Sequence, residues 1–339
     1  MKRIAVVILN YNGVKFLQDF LPLVIEKSID HSDIWVADNN SLDGSVDFLK
    51  QNFPEVNVIV NEFNGGYATG YNLALKQIEA EYYVLLNSDI EVTDNWIMPI
   101  IDLMDSDSNI AACQPKILSF EARDKFEYAG GAGGFIDAYG YPFCRGRLFQ
   151  SLETDSGQYD DTKEVFWASG ACMFVRADLY HKYGGLDDDF FAHMEEIDLC
   201  WRLKNYGHKI MVCPSSKVFH VGGGTLPKQS AWKTYLNFRN NFSLLYKNLP
   251  SNQLFKVFAI RLLLDGIAAL KFILQGGFQD TIAVFKAHLY FYKNIGKLKK
   301  KRKELQQNNV SKVYDRNIVF DHYILRRKKF SELKKEDFS

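Results

Sequence analysis

Ile4-Ala5-Val6-Val7-Ile8-Leu9, followed at once by Asn10-Tyr11-Asn12-Gly13, is the stretch that decides the fold. An unbroken apolar run rich in β-branched residues reads as a strand buried on both faces, and such strands belong to sheets covered by helices. The flank Met1-Lys2-Arg3 gives it the look of a signal peptide, but the apolar run is too short and polar residues follow directly. The same pattern then recurs along the chain. A helical stretch at 13–27 precedes a strand at 34–37 that ends in Asp38. A helix at 44–52 leads to a strand at 56–60. A helix at 66–79 leads to a strand at 82–86 that ends in Asn87-Ser88-Asp89. Alternation of this kind predicts βαβ units and an α/β fold with a mostly parallel central sheet flanked by helices. Ligands of such sheets bind beyond the carboxyl ends of the strands. Polar clusters sit in that place in unit after unit: Asn10/Asn12, Asp38/Asn39/Asn40, Asn64/Gly65/Gly66 and Asn87/Asp89. Four in consecutive units predict a built site.

Further along, 126–156 is rich in glycine and aromatics and reads as loops and short strands near a cleft. A strand follows at 165–175, interrupted by Ser169-Gly170. The stretch 193–206 has helical spacing, with Gly207 as its stop signal. Short strands at 210–212 and 217–221 complete this part. From about residue 253 the pattern changes. The stretch 253–275 is strongly apolar but carries Lys256, Arg261, Asp265 and Lys271, so no uncharged run reaches the roughly 18–20 residues of a spanning helix. At helical spacing the four charges share about half the circumference and leave an apolar arc. A second helix at 281–295 places Ile282, Phe285, Leu289 and Tyr292 on one face. These observations divide the chain into a body, 1–250, and a basic amphipathic helical extension, 251–339.

Net charge is zero over 339 residues but unevenly spread, at −11 before residue 251 and +11 after it. Basic runs at 297–303 and 326–329 beside apolar arcs fit a helix lying in a membrane interface. A helical pair packed on the body or on a partner subunit fits the same pattern. The five cysteines are odd in number and form no Cys-x-x-Cys pair, which counts against a disulfide framework or a structural zinc site and predicts buried free thiols.

The strand ends carry the chemistry. The first lacks Gly-x-Gly-x-x-Gly, the phosphate turn of a dinucleotide fold, which counts against a dehydrogenase. The carboxylate of Asp38 can accept from a base N–H or a ribose hydroxyl, and the same residue is common in turns. Asn64-Gly65-Gly66 allows close backbone approach to a ligand and equally suits a plain turn. Asp89 suits Mg²⁺ or Mn²⁺, which take one or two carboxylates plus substrate phosphates. A turn cap fits that position as well, and Glu91 is a further candidate oxygen. Glu195-Glu196-Ile197-Asp198 puts three carboxylates in four residues. A capping role fits them, and so does a general base near an acceptor hydroxyl. Asp198 and Arg202, four apart, read as a structural pair. His220, ahead of Val221-Gly222-Gly223-Gly224-Thr225, is a candidate metal or phosphate contact.

This ordered set resembles family 2 glycosyltransferases of the GT-A fold, especially the bacterial branch that contains rhamnosyltransferases. The matching pieces are Val6 to Asn12, Val36 to Ser45, Asn64-Gly65-Gly66 with Gly70 and Asn72, Leu85 to Asp89, Ser169-Gly170-Ala171, Glu195 to Arg202, and His220 with Gly223. The resemblance implies that Asp38 contacts the nucleobase and that Asn64 and Gly65 line the donor site, with Asn10, Asn12 and Asn87 beside them. It implies that Asp89 is the metal-binding residue of the Asp-X-Asp turn, that His220 is a further metal or diphosphate ligand, and that Glu196 is the catalytic base. Two departures stand out. Asn87 replaces the first Asp of Asp-X-Asp, removing one charge. Glu195-Glu196 replaces a Glu-Asp pair, which leaves the base open between Glu196 and Glu195.

The expected activity is therefore an inverting transfer from a UDP- or dTDP-linked sugar to a hydroxyl of a growing glycan, in cell-surface polysaccharide or O-antigen synthesis. The expected partners are a nucleotide-sugar, a divalent metal, a glycan or polyprenyl-linked acceptor and the inner face of the cell membrane, touched peripherally from the cytoplasm; nucleic acid is not among them. A non-catalytic scaffold on the same fold and a sugar nucleotidyltransferase are the alternatives. The second should show a glycine-rich basic loop after the first strand, which Asn10-Tyr11-Asn12-Gly13 is not.

Overall fold

The computed structural model describes residues 2–222 and 230–339. The Gly223-Gly224-Thr225 part of the glycine-rich loop lies outside the described residues. The chain opens with β1 (Ile4–Asn10), α1 (Val14–Ser28), β2 (Ser32–Asp38), α2 (Ser45–Asn52), β3 (Asn57–Val60), α3 (Gly66–Leu75) and β4 (Tyr82–Asn87). Then come β5 (Ile90–Val92), α4 (Met98–Ser106) and β6 (Ile110–Ser119). Strands β1, β2, β3 and β4 pair in parallel, in register Asn10 to Asp38 and Leu9 to Asn87. This aligns the predicted polar ends along one sheet edge. The central strands β1 and β4 are almost wholly buried, because helices cover both faces, whereas the edge strand β3 is largely exposed.

Four short strands follow as a separate layer: β7 (Gly134–Asp137), β8 (Pro142–Cys144), β9 (Arg147–Leu148) and β10 (Ser151–Leu152). The chain then returns to the main sheet through β11 (Lys163–Val165) and β12 (Cys172–Arg176). The single interrupted strand expected at 165–175 is thus two strands. They are not neighbours: the order is β11-β13-β6-β12-β4-β1-β2-β3, with β13 at Lys209–His220. Ser169-Gly170 turns the chain between them. Strand β12 enters between β4 and β6 antiparallel to both, so the sheet is mixed. The two short strands expected at 210–212 and 217–221 are one long strand, β13, with a bulge between Cys213 and Lys217. Before β13 lie α5 (Ala177–Lys182) and α6 (Glu195–Asn205). All five cysteines are free and buried.

After β13 come α7 (Ala231–Asn248), α8 (Ser251–Leu274), α9 (Phe278–Lys293) and α10 (Ile295–Lys303), then β14 (Val313–Tyr314) and α11 (Ile318–Tyr323). The change of pattern near residue 250 is not a break in packing. Strand β14 adds to the small sheet in parallel with β7. Phe330 and Phe338 pack on Phe135 and Phe143. The Ile318 amide donates to Asp137 Oδ2 at 3.0 Å. The charges of α8 are also not gathered on one exposed side. Arg261 and Asp265 are buried and paired at 3.2 Å, and it is the apolar arc that faces outward. The basic run of α10 is partly consumed inward as well. Lys301 pairs with Asp187 and Asp189, Lys297 with Asp189, and Arg302 donates to the Tyr246 carbonyl. Among the described residues no helix is long and apolar enough to cross a membrane.

Candidate active site

The aligned strand ends form one wall of a cleft of about 1920 Å³. Their polar residues divide into two ranks. Asn12, Asn39, Asn64, Asn87 and Asp89 line the cleft, with Gly66 beside them. Asn10 and Asp38 lie behind the wall, both fully buried. Asp38 Oδ2 accepts from Asn10 Nδ2 at 2.8 Å, and Oδ1 accepts from the Ser41 amide at 2.7 Å. Its oxygens are thus spent on fixing the 39–41 turn rather than displayed to a ligand. An asparagine network extends this support: Asn61 Nδ2 donates to Asn39 Oδ1, and Asn39 Nδ2 donates to the Gly66 carbonyl. Asn64 Oδ1 accepts from the Gly66 amide at 2.9 Å, which caps the turn into α3. Gly65 stands next to the wall, whereas Gly66 is on it at φ +78°, with the Phe191 carbonyl 2.4 Å from where a Cβ would sit. Only glycine fits there.

Asp89 and His220 meet on the opposite side of the β4 end. The β5–β13 pairing sets Ile90 against His220, which brings the two side chains together. His220 Nε2 is 3.2 Å from Asp89 Oδ1, and the Gly222 amide donates to Asp89 Oδ2 at 3.2 Å. Asn87 Nδ2 is 3.5 Å from the same imidazole nitrogen. On the far side, His220 Nδ1 is 3.3 Å from Glu127 Oε2. Burial opposes charge on His220, but Asp89 and Glu127 outweigh it and push the imidazole up to about 10. Burial likewise opposes charge on Asp89 and Glu127, and His220 holds both below the usual carboxylate range. Glu91 points away and pairs with Arg123 at 2.8 Å on the surface.

Among the described residues no three His, Cys, Asp or Glu side chains converge as a ready-made metal cage. The donor set still fits a hard divalent cation whose remaining ligands come from phosphate oxygens. Asp89 and the Nε2 edge of His220 face the cleft. Glu127 backs Nδ1, the arrangement in which a carboxylate orients a ligating imidazole.

Next to Gly66, where the Tyr67 amide donates to the Phe191 carbonyl, Phe191, His193 and Met194 have φ between +64° and +73°. Three side-chain-bearing residues in the left-handed region within four positions store strain, as functional loops do. The loop sets the angle at which α6 starts, and so aims Glu195 and Glu196. Asn240 of α7 holds it by donating Nδ2 to the carbonyls of Phe190, Ala192 and His193 at 2.7–3.0 Å. Both glutamates reach the cleft, but Glu195 is 4% exposed and Glu196 half-buried. Each has a buried Oε2 with no hydrogen-bond partner. Burial pushes Glu196 up to about 7. Burial, then the charge of Glu196, raise Glu195 well above the carboxylate range. Asp198 joins neither: it pairs with Arg202 at 2.8 Å and with Lys247 at 2.9 Å inside the body, as its spacing predicts.

Sequence reasoning missed Glu127, His193, Asn240 and the far wall. Glu127 lies in an aperiodic glycine-aromatic stretch, and long-range pairing places it near β6, through its own amide bond to the Ile117 carbonyl and the Phe126–Leu118 bridge beside it. The far wall comes from α7, α8 and α11, through residues such as Asn237, Ile267, Lys271 and Tyr323.

The model of glycosyl transferase family 2 matches residues 5–184. The hexosyltransferase Agl10 of low-salt glycan biosynthesis in Haloferax volcanii is 27% identical over 57% of this chain and 58% of its own. The N-acetylglucosaminyl-diphospho-decaprenol L-rhamnosyltransferase of Mycobacterium tuberculosis is 25% identical over 64% of this chain and 75% of its own. In fold, the crystal structure of GalNAc-T7 with UDP, GalNAc and Mn²⁺ superposes with a TM-score of 0.57 at 16% identity, over 74% of this chain and 49% of that one. The chain thus spans little more than half the length of the first of these relatives. The family model spans just over half of this chain, on a mixed sheet whose cleft is lined by carboxylates on both sides. The chain therefore belongs to glycosyl transferase family 2, has the GT-A fold and is akin to the bacterial rhamnosyltransferases.

Proposed function

We propose that this glycosyltransferase moves a sugar, with inversion, from a UDP- or dTDP-linked donor to a hydroxyl of a growing cell-surface glycan. The observation that carries the reading is the Glu196 carboxylate, half-buried and unpartnered at Oε2, facing the same cleft as Asp89 and His220. Glu196 takes the acceptor hydroxyl proton. The freed oxygen bonds to the anomeric carbon as the carbon–oxygen bond to the diphosphate breaks on the opposite face, and the nucleoside diphosphate leaves. Held near 7, Glu196 is matched to proton abstraction at neutral pH. Glu195 stays neutral beside it, so no second negative charge opposes its ionisation. Asn12, Asn64 and Asn87 present amides to the donor, with Asp38, Asn10 and Asn39 holding the turn behind them.

Mg²⁺ or Mn²⁺ bound at Asp89 and His220 would stabilise the charge that develops on the departing diphosphate. The mycobacterial relative is named for a diphospho-decaprenol substrate, which supports a polyprenyl-linked acceptor here. Such an acceptor supports a peripheral position at the inner face of the cell membrane, with the membrane-facing surface carried within 251–339, a part that also closes the cleft and packs on the body.

Glu196→Gln should lower transfer at least 1000-fold while nucleoside diphosphate binding, read by calorimetry, stays within twofold. Full activity in that variant moves the base to Glu195. Asp89→Asn should abolish the thermal stabilisation that UDP or dTDP gives only with Mn²⁺. Stabilisation unchanged by chelator sinks the metal reading.

A further inference from the structure

Helices α8 and α9 are built inside out. The buried stripe of α8 is Val257, Arg261, Asp265 and Ala269, so its inward face carries an ion pair. Arg261 donates to Asp265, Asn241 and the Tyr139 carbonyl. Asp265 also faces His288 of α9 at 3.2 Å. The outward face is apolar: Phe255 is 87% exposed, Leu263 65% and Leu274 79%. Helix α9 repeats the pattern with Phe278 at 65%, Phe285 at 62% and Leu289 at 58%. A water-facing helix puts its apolar stripe inward. Two adjacent helices that do the reverse present a continuous apolar surface of the kind that marks a membrane or partner contact.

Two features choose between those occupants. The first is charge. The exposed charges of the hairpin are lysines: Lys256, Lys271, Lys286 and Lys293. Its two carboxylates are turned inward, Asp265 to Arg261 and Asp280 to Thr234 Oγ1 at 2.6 Å. A second copy of this face would set lysine against lysine, whereas an anionic lipid surface answers them. The second is continuity. Ile267, Lys271 and Phe272 of α8 also line the cleft that holds Glu196 and Asp89. The cleft therefore opens at the edge of the apolar face.

We infer that the outward face of α8 and α9 seats on an anionic lipid monolayer and turns the cleft mouth toward it, so that the acceptor reaches Glu196 from the membrane. The need for a membrane-embedded acceptor rests on the proposed sugar transfer; the seating does not. Seating is measured on the full chain without donor or acceptor, by co-sedimentation with phosphatidylglycerol vesicles and with phosphatidylcholine vesicles. We expect binding at least tenfold stronger to the anionic vesicles. Leu263→Glu/Phe285→Glu should reduce it at least tenfold, while thermal melting and metal-dependent stabilisation by nucleoside diphosphate stay unchanged. Lys286→Glu/Lys293→Glu should erase the preference for anionic lipid. The inference is overturned if Leu263→Glu/Phe285→Glu pellets with vesicles as the unaltered chain does. It is equally overturned if the unaltered chain ignores vesicles and forms a dimer that this double substitution dissolves. Loss of transfer in Glu196→Gln with vesicle binding intact separates the two claims.

Discussion

Glu196 reaches the cleft half-buried while Glu195, one residue earlier on the same helix, is 4% exposed. This difference turns identical side chains into different groups. A base must be ionised, and burial holds Glu196 near 7, so kcat/KM should rise about tenfold per pH unit below 7 and level off above it. A profile already flat at pH 5.5 would remove Glu196 from the role. For stability the sign is opposite. Glu195 binds its proton more tightly folded than unfolded, so its contribution is complete below about 4.5 and is lost as pH rises. Glu195→Gln is neutral throughout. It should therefore melt at least ~2 °C above the unaltered chain at pH 8 and no higher at pH 4.5, as differential scanning fluorimetry would show. At this scale the family resemblance carried further than residue type, since a turn cap and a ligand share one signature at Asp89. Asp89 and His220 do stand together, 3.2 Å apart. Asp38 shows the limit: a strand-end carboxylate has the same sequence signature whether it faces a ligand or, as here, an asparagine and a turn amide behind the wall. Glu127 had no signature, since its place against His220 depends on a loop without periodicity.

Helix α6 begins without a side-chain cap, from Met194 at φ +73°. Intrinsic preference does not hold this start; α7 does. Arg239 donates to the carbonyls of Asp189 and Phe190, and Asn240 to those of Phe190, Ala192 and His193. Asn240→Ala leaves buried carbonyls short of a donor, which costs about 1–3 kcal/mol. The strained loop should then relax and turn Glu196 away. We expect kcat to fall at least tenfold and KM for the donor to change less, because the loop meets the donor wall through its Phe191 carbonyl, held by the Tyr67 amide, whereas it sets the angle of α6 directly. An equal fall in donor affinity would show that the loop serves binding instead. The sequence located α6 within two residues, through its carboxylate-rich start and Gly207. It missed the clamp, because Arg239 and Asn240 act across some 50 positions of chain. The same cause merged β11 and β12. Apolar runs on either side of Ser169-Gly170 read alike whether the chain bends or crosses the sheet, and only partners separated by long loops decide it.

The whole molecule departs most from its sequence after residue 250. Composition reads there as an appendage, basic and amphipathic, yet the last 27 residues complete the body. Tyr314 and Ile318 are fully buried, Tyr314 stacks edge-on against Phe143, and Phe330 and Phe338 close over Phe135. Periodicity could not show this, since a two-residue strand and single aromatic anchors leave no repeat. Fully burying a side chain of this size is worth ~1.5–3 kcal/mol, so Tyr314 and Ile318, with the half-buried Phe330 and Phe338 beside them, are a large share of the ~5–15 kcal/mol that holds a domain together. A chain ending at residue 311 should therefore lose cooperative melting or fail to stay soluble. Melting within about 2 °C of the full chain would restore the appendage reading. The consequence reaches the membrane question. Deleting the C-terminal part removes packing and lipid contact together, so loss of vesicle binding in a shortened chain says nothing about which was responsible. Leu263→Glu/Phe285→Glu acts on side chains that are mostly exposed, at 65% and 62%, and so separates the lipid-facing surface from the core behind it.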